Sequence, residues 1–218
     1  MWRMPATDPV LFLTFDDGPN PEVTPQVLDI LKSHQAKATF FCVGENIIRH
    51  RDVYDKILAG GHTVGNHTFH HLNGWKTKTK DYLFDVSRCG ELLKTANGKR
   101  DMNTLNSKPE RAHQLPCSIL PAPNLFRPPY GKLSPAQYIK IKSQYSIVMW
   151  DVLSGDYNTS LSGENCFTTV SQAARSGSII LFHDSIKAKE RVLFSLPKVM
   201  DYFSNKNFVF KSLSQKLF

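Results

Sequence analysis

Short apolar runs that end abruptly in Asp, His or Arg recur along this chain, and they narrow its possible folds more than any other feature. Val10 to Phe15 leads into Asp16-Asp17-Gly18-Pro19, Phe126 into Arg127, Ile147 to Trp150 into Asp151, and Ser178 to Phe182 into His183-Asp184. Helical signals fall between them. Thr24-Pro25 reads as a cap followed by proline at the first helical position, and Val27, Leu28, Ile30 and Leu31 form an apolar stripe behind it. Val53, Ile57 and Leu58 mark a second helix closed by Gly60-Gly61, while Tyr82, Val86, Cys89 and Leu93 step at helical spacing. Ser134-Pro135 opens another helix; Phe167, Val170 and Ala174 belong to a further one, and Val192 to Phe203 to a last. Lys37 to Val43, Ser146 to Trp150 and Phe208 to Phe210 read as strands. Strand-then-helix alternation argues for a parallel sheet covered by helices. Parallel barrels assemble their sites from the C-terminal ends of several strands, which is where these polar residues fall.

A length of 218 residues fits one domain, 1–218, with a sizeable core. It falls short of the usual eightfold barrel and suggests fewer units. Hydrophobic content of 41% with 21% charge excludes global disorder. No apolar stretch approaches the length of a membrane span. Met1-Trp2-Arg3-Met4-Pro5 lacks the apolar region of a signal peptide. The expectation is therefore a cytoplasmic protein if the sequence is complete, and an envelope or secreted one if an export segment has been trimmed. Cys42, Cys89, Cys117 and Cys166 lie far apart, in neither a zinc nor a disulfide pattern, and Cys42 reads as a small core residue. The net charge of +8 is dispersed. It suits a solvated surface or an anionic envelope polymer and does not call for nucleic acid. A monomer is expected.

Two clusters carry chemistry. Asp16 and Asp17 end a strand, where adjacent side chains share one site only if the backbone turns. Two carboxylates there can divide labour between a metal and a proton. His67 and His71 are four apart, so one helical turn would put both imidazoles on one face, with His62 and His70 as bystanders. Imidazoles plus a carboxylate make a three-ligand set that leaves a position open for water.

Taken together, these segments resemble the polysaccharide deacetylase family, the NodB-homology hydrolases of carbohydrate esterase family four. Thr14 to Pro19 matches the family's first motif, His67-Thr68-Phe69-His70-His71 its second, Arg127 to Gly131 its third and Leu181-Phe182-His183 its fifth; Ala38-Thr39-Phe40-Phe41 is the strand usual between the first two. The fourth motif departs: Leu153-Ser154-Gly155-Asp156-Tyr157 has leucine for its first aspartate and tyrosine for tryptophan. The polar, aperiodic stretch 97–124 reads as an inserted loop bordering the site. The resemblance implies a distorted seven-stranded (β/α) barrel, TIM-barrel-like. It also implies one divalent metal held by Asp17, His67 and His71, zinc foremost, with cobalt or nickel as alternatives. Asp16 would then be the general base, Arg127 its partner, and His183 the general acid held by Asp156. The backbone N–H of Tyr130 would stabilise the oxyanion, and Trp150, Tyr157 and Leu181 would line the acetyl pocket. The implied substrate is an N-acetylglucosamine-type polysaccharide or oligosaccharide, peptidoglycan or chitin-like. The alternatives are a same-fold hydrolase of a small amide or imide, an O-acetyl xylan esterase, and a catalytically weak carbohydrate-binding homologue.

Overall fold

In a computed structural model, which describes residues 1–97 and 124–213, the chain forms one curled parallel sheet wrapped by helices. The strands are β1 (Val10–Asp16), β2 (Thr39–Cys42), β3 (Thr63–Asn66), β4 (Leu125–Phe126), β5 (Ser146–Ile147), β6 (Val152–Leu153), β7 (Ile179–His183) and β8 (Val209–Phe210). The helices are α1 (Thr24–Ser33), α2 (Gly44–Arg49), α3 (Arg51–Ala59), α4 (Thr79–Asn97), α5 (Pro135–Ile141), α6 (Gly163–Ala173) and α7 (Lys189–Ser204). Seven strands run in the order β5-β4-β3-β2-β1-β7-β6, and β8 pairs with the start of β1. This is the seven-stranded (β/α) barrel expected from the sequence. The expected inserted loop lies, apart from its two ends, outside the described residues.

Every residue of β1 is buried, as in a parallel strand covered on both faces. Alternate residues serve two cores. Leu11, Leu13 and Phe15 pack outward with Val27, Leu31, Leu92 and Leu196 of the helices. Val10 and Phe12 pack inward with Phe41, Leu125, Val148 and Ile179. Thr14 and Asp16 continue that inward face, so the strand's own alternation delivers Asp16 to the mouth of the barrel.

Between β5 and β6 no ladder forms among the described residues. Residues 1–4 span that seam instead: Met149 donates its N–H to the Met1 carbonyl (2.6 Å), and Met4 donates to Gly177 (2.9 Å). Arg3 bridges Ser178 in antiparallel sense, and the Met4 side chain enters the inner core.

Local structure differs from the sequence expectation in three places. The strand expected over 146–150 stops at Ile147, because the Arg127 guanidinium takes the carbonyls of Val148 (3.3 Å) and Met149 (2.9 Å) that would otherwise extend a ladder. Val23, not Thr24, caps α1, and the Thr24 hydroxyl is turned to the buried carboxylate of Asp184. His67 to His71 is not helical; it is a loop after β3, with Thr68 at φ 64° and His71 at φ 55°.

Candidate active site

β1 ends on Asp16, and Asp17 follows at φ 80°, a left-handed turn that swings its carboxylate to the same side as its neighbour's. The turn is fixed from beneath. Gly18 donates its N–H to the Asp184 carboxylate (3.0 Å), and a Cβ at Gly18 would lie 2.0 Å from Asp184 Oδ2. Glycine is therefore required there for close approach. Burial pushes the Asp184 carboxyl up to about 7, against the opposing hydrogen bond from Thr24.

The β3 loop brings in the histidines. Asn66 ties it down, donating to Val86 (2.8 Å) and accepting from the Thr68 N–H (2.8 Å). Asp85 of α4 accepts the N–H groups of Phe69 (2.8 Å) and His70 (2.9 Å) and also binds the His70 ring. His70 is thus a bystander to the cavity. His62 is another, its Nδ1 accepting the Ala38 N–H (3.2 Å).

Asp17, His67 and His71 offer one ligand atom each, all within 4.8 Å of one another. Asp17 Oδ1 is 3.1 Å from His71 Nε2 and 3.7 Å from His67 Nε2. Burial would raise the Asp17 carboxyl, but the His71 hydrogen bond and the charges of His183 and His67 outweigh it and hold it well below the usual carboxylate range. Fully buried His67 is pushed down to about 4, chiefly by desolvation, against the pull of Asp16. Its Nδ1 lies 2.8 Å from the Arg127 carbonyl, which can only accept. Nδ1 therefore carries the proton, and Nε2 turns a lone pair toward Asp17. A carboxylate with two imidazoles, one of them oriented through its second nitrogen, fits a divalent ion of the zinc type with coordination positions to spare.

Asp16 lies beside this cluster. One oxygen accepts from Arg127 Nη1 (2.8 Å), and the other stands 3.7 Å from His67 Nε2. Arg127 is wholly buried, also donates to Thr14 (2.8 Å), and lies against the Phe41 ring. Across the cavity, Asp156 holds His183 at two points: it accepts the backbone N–H (2.7 Å) and contacts ring Nδ1 (2.7 Å). Desolvation alone would lower the His183 pKa; the Asp156 hydrogen bond and charge dominate and raise it to about 9. Asp156 is itself fastened, with its carbonyl accepting from Arg191 Nε at 2.6 Å.

Asp16, Asp17, His67, His71, Tyr130, Trp150, Tyr157, Leu181 and His183 line one cavity of about 500 Å³, with Arg127 and Asp156 directly behind it. Tyr130 sits at φ 60°, with its ring on His71. Leu153 lines the cavity as an apolar wall, and among the described residues no acid takes the place of the missing aspartate. Asp151 is committed elsewhere, accepting from Ser178 Oγ (2.9 Å) and the Ile179 N–H (2.8 Å). Lys132, Ser185 and Lys187 also line the cavity and carry no sequence signal of their own.

Residues 3–113 match the family described as Polysaccharide deacetylase. A peptidoglycan-N-acetylglucosamine deacetylase of Bacillus cereus is 28% identical over 218 residues, spanning 99% of this chain and 92% of that protein. A chitooligosaccharide deacetylase of Sinorhizobium fredii is 30% identical over 219 residues, spanning 95% and 91%. Among solved structures, a peptidoglycan N-acetylglucosamine deacetylase in complex with 4-naphthalen-1-yl-N-oxidanyl-benzamide has a TM-score of 0.83 at 29% identity, covering 97% of this chain and 89% of that one.

Proposed function

Because the chain belongs to the polysaccharide deacetylase family, we propose that it hydrolyses the acetamide of N-acetylglucosamine-type residues in a peptidoglycan or chitin-like chain, aided by one divalent metal ion. The observation that carries this reading is the division of the cavity into two halves of opposite proton demand. A carboxylate braced by a buried arginine faces a histidine whose pKa is raised to about 9. Amide hydrolysis needs that pairing, since water must lose a proton and the departing amine must gain one.

An ion held by Asp17, His67 and His71 would supply Lewis acidity toward the acetyl oxygen and the attacking water. Asp16 accepts the water's proton on the oxygen that Arg127 leaves free. Arg127 keeps that carboxylate aimed through its Nη1 hydrogen bond. The Tyr130 N–H, which donates to no protein acceptor among the described residues, is available to the oxyanion of the tetrahedral intermediate. His183, protonated at neutral pH, gives its proton from Nε2 to the amine while Asp156 holds Nδ1. Trp150, Tyr157, Leu181 and Leu153 give the acetyl methyl an apolar seat.

Acetate release from N-acetylglucosamine oligomers tests this. Release should vanish with a chelator and return on adding zinc. Asp17→Asn should lose metal and turnover together, whereas Asp16→Asn should keep the metal and lose turnover. No acetate under any metal, or equal metal loss in both variants, would overturn the reading.

A further inference from the structure

The rim of the catalytic cavity carries charge that the hydrolysis does not use. Its two acids are engaged, Asp16 with Arg127 and Asp17 with His71. Lys132, after the β4 turn, and Lys187, after β7, line it from strands that stand apart in the sheet. Neither lysine enters an ion pair among the described residues. The Lys132 ammonium lies 5.0 Å from the ring centroid of Trp75, an indole that is 68% exposed. Exposed as it is, Trp75 is fixed: Nε1 donates to the Leu133 carbonyl (3.1 Å), and its backbone N–H donates to Asn73 Oδ1 (3.0 Å). Gln137 fastens the same loop, donating to the carbonyls of Gly74 (2.9 Å) and Thr77 (3.2 Å). An exposed tryptophan fixed by two hydrogen bonds, beside an ammonium that lines the cavity and enters no ion pair among the described residues, is already ordered for a ligand. The indole face suits the C–H face of a sugar ring, and the ammonium suits an anionic substituent.

We propose that Trp75 and Lys132 form a subsite for a carboxylate-bearing sugar adjoining the acetamido sugar that is cleaved, so that the preferred substrate is an acidic glycan rather than a neutral one. This rests on the deacetylase reading and narrows its substrate. Lys187 adds positive potential on the far flank of the same cavity.

The test uses an oligosaccharide in which N-acetylglucosamine alternates with its 3-O-lactyl derivative, as the free acid and as the methyl ester. Calorimetric titration into the wild-type protein without added metal should show the acid binding about five- to tenfold tighter than the ester, the range for an added charged hydrogen bond near a surface. Salt should shrink that gap. Lys132→Met should abolish it and Lys132→Glu should invert it, while Trp75→Ala should weaken acid and ester alike. Equal binding of acid and ester, or a gap that survives in Lys132→Met, would overturn the subsite. Acetate release from the same two compounds keeps the readings apart: a binding preference without release sinks deacetylation and spares the subsite, whereas release without preference sinks the subsite alone.

Discussion

His183 works with one ring nitrogen pinned. Asp156 takes Nδ1 and the backbone N–H together, so the ring cannot turn without breaking both contacts. Its pKa of about 9 places the proton on the ring through the neutral range. Turnover should therefore fall as pH rises through about 9, and the His183→Ala profile should lack that alkaline limb. The variant should lose about two to four orders of magnitude on amides, yet much less on acetate esters of acidic phenols, whose leaving groups need no proton. Equal loss on both substrates would remove His183 from the acid role. The same shift affects folding: the unfolded imidazole titrates near about 6.5. The stabilisation from the Asp156 pair is thus complete below that pH and lost as pH rises through about 9. The chemistry-bearing residues were legible because their types and spacing are unusual at strand ends. Asp85 and Asp184 were not. Asp85 lies among Tyr82, Val86 and Cys89 on the apolar side of its helix, and an acid on that face was the missed signal. Asp184 ends an apolar run with no motif of its own, and only the fold of the β1 turn over it makes it a buried support.

Among the elements, β1, β2 and β7 were legible as apolar runs, whereas β3, β6 and the loops were not. Spacing of four between His67 and His71 suggested a helix. The structure reaches the same convergence with a loop, because Asn66 and Asp85 satisfy the backbone groups that a helix would have paired internally. The short α2 escaped notice because six residues are too few to display a period. The β1 turn is the element most exposed to a single change. Gly18→Ala forces a methyl onto the Asp184 carboxylate. It should cost about 1–3 kcal/mol, the usual penalty for overpacking a closed site, and should weaken metal binding by moving Asp17. Urea unfolding together with zinc titration checks both. A stable variant with unchanged zinc affinity would show that the turn has slack.

For the whole molecule, strand-then-helix alternation foretold the parallel sheet and the family resemblance its barrel form, but neither foretold how it closes. β6 is two residues long, and residues 1–4 carry no alternating pattern to mark them as part of the sheet. Those residues nonetheless stitch the seam, and the stitch runs on into the cavity. Met1 accepts from Met149, the Met149 carbonyl accepts from Arg127, and Arg127 holds Asp16. Removing residues 1–4 should consequently lower kcat as well as the melting temperature, whereas a purely structural staple would lower only the second. In mechanical terms the seam is a tensioner. Slack in the first few residues passes along three hydrogen bonds to the Asp16 carboxylate, so on heating the protein should go silent before it melts.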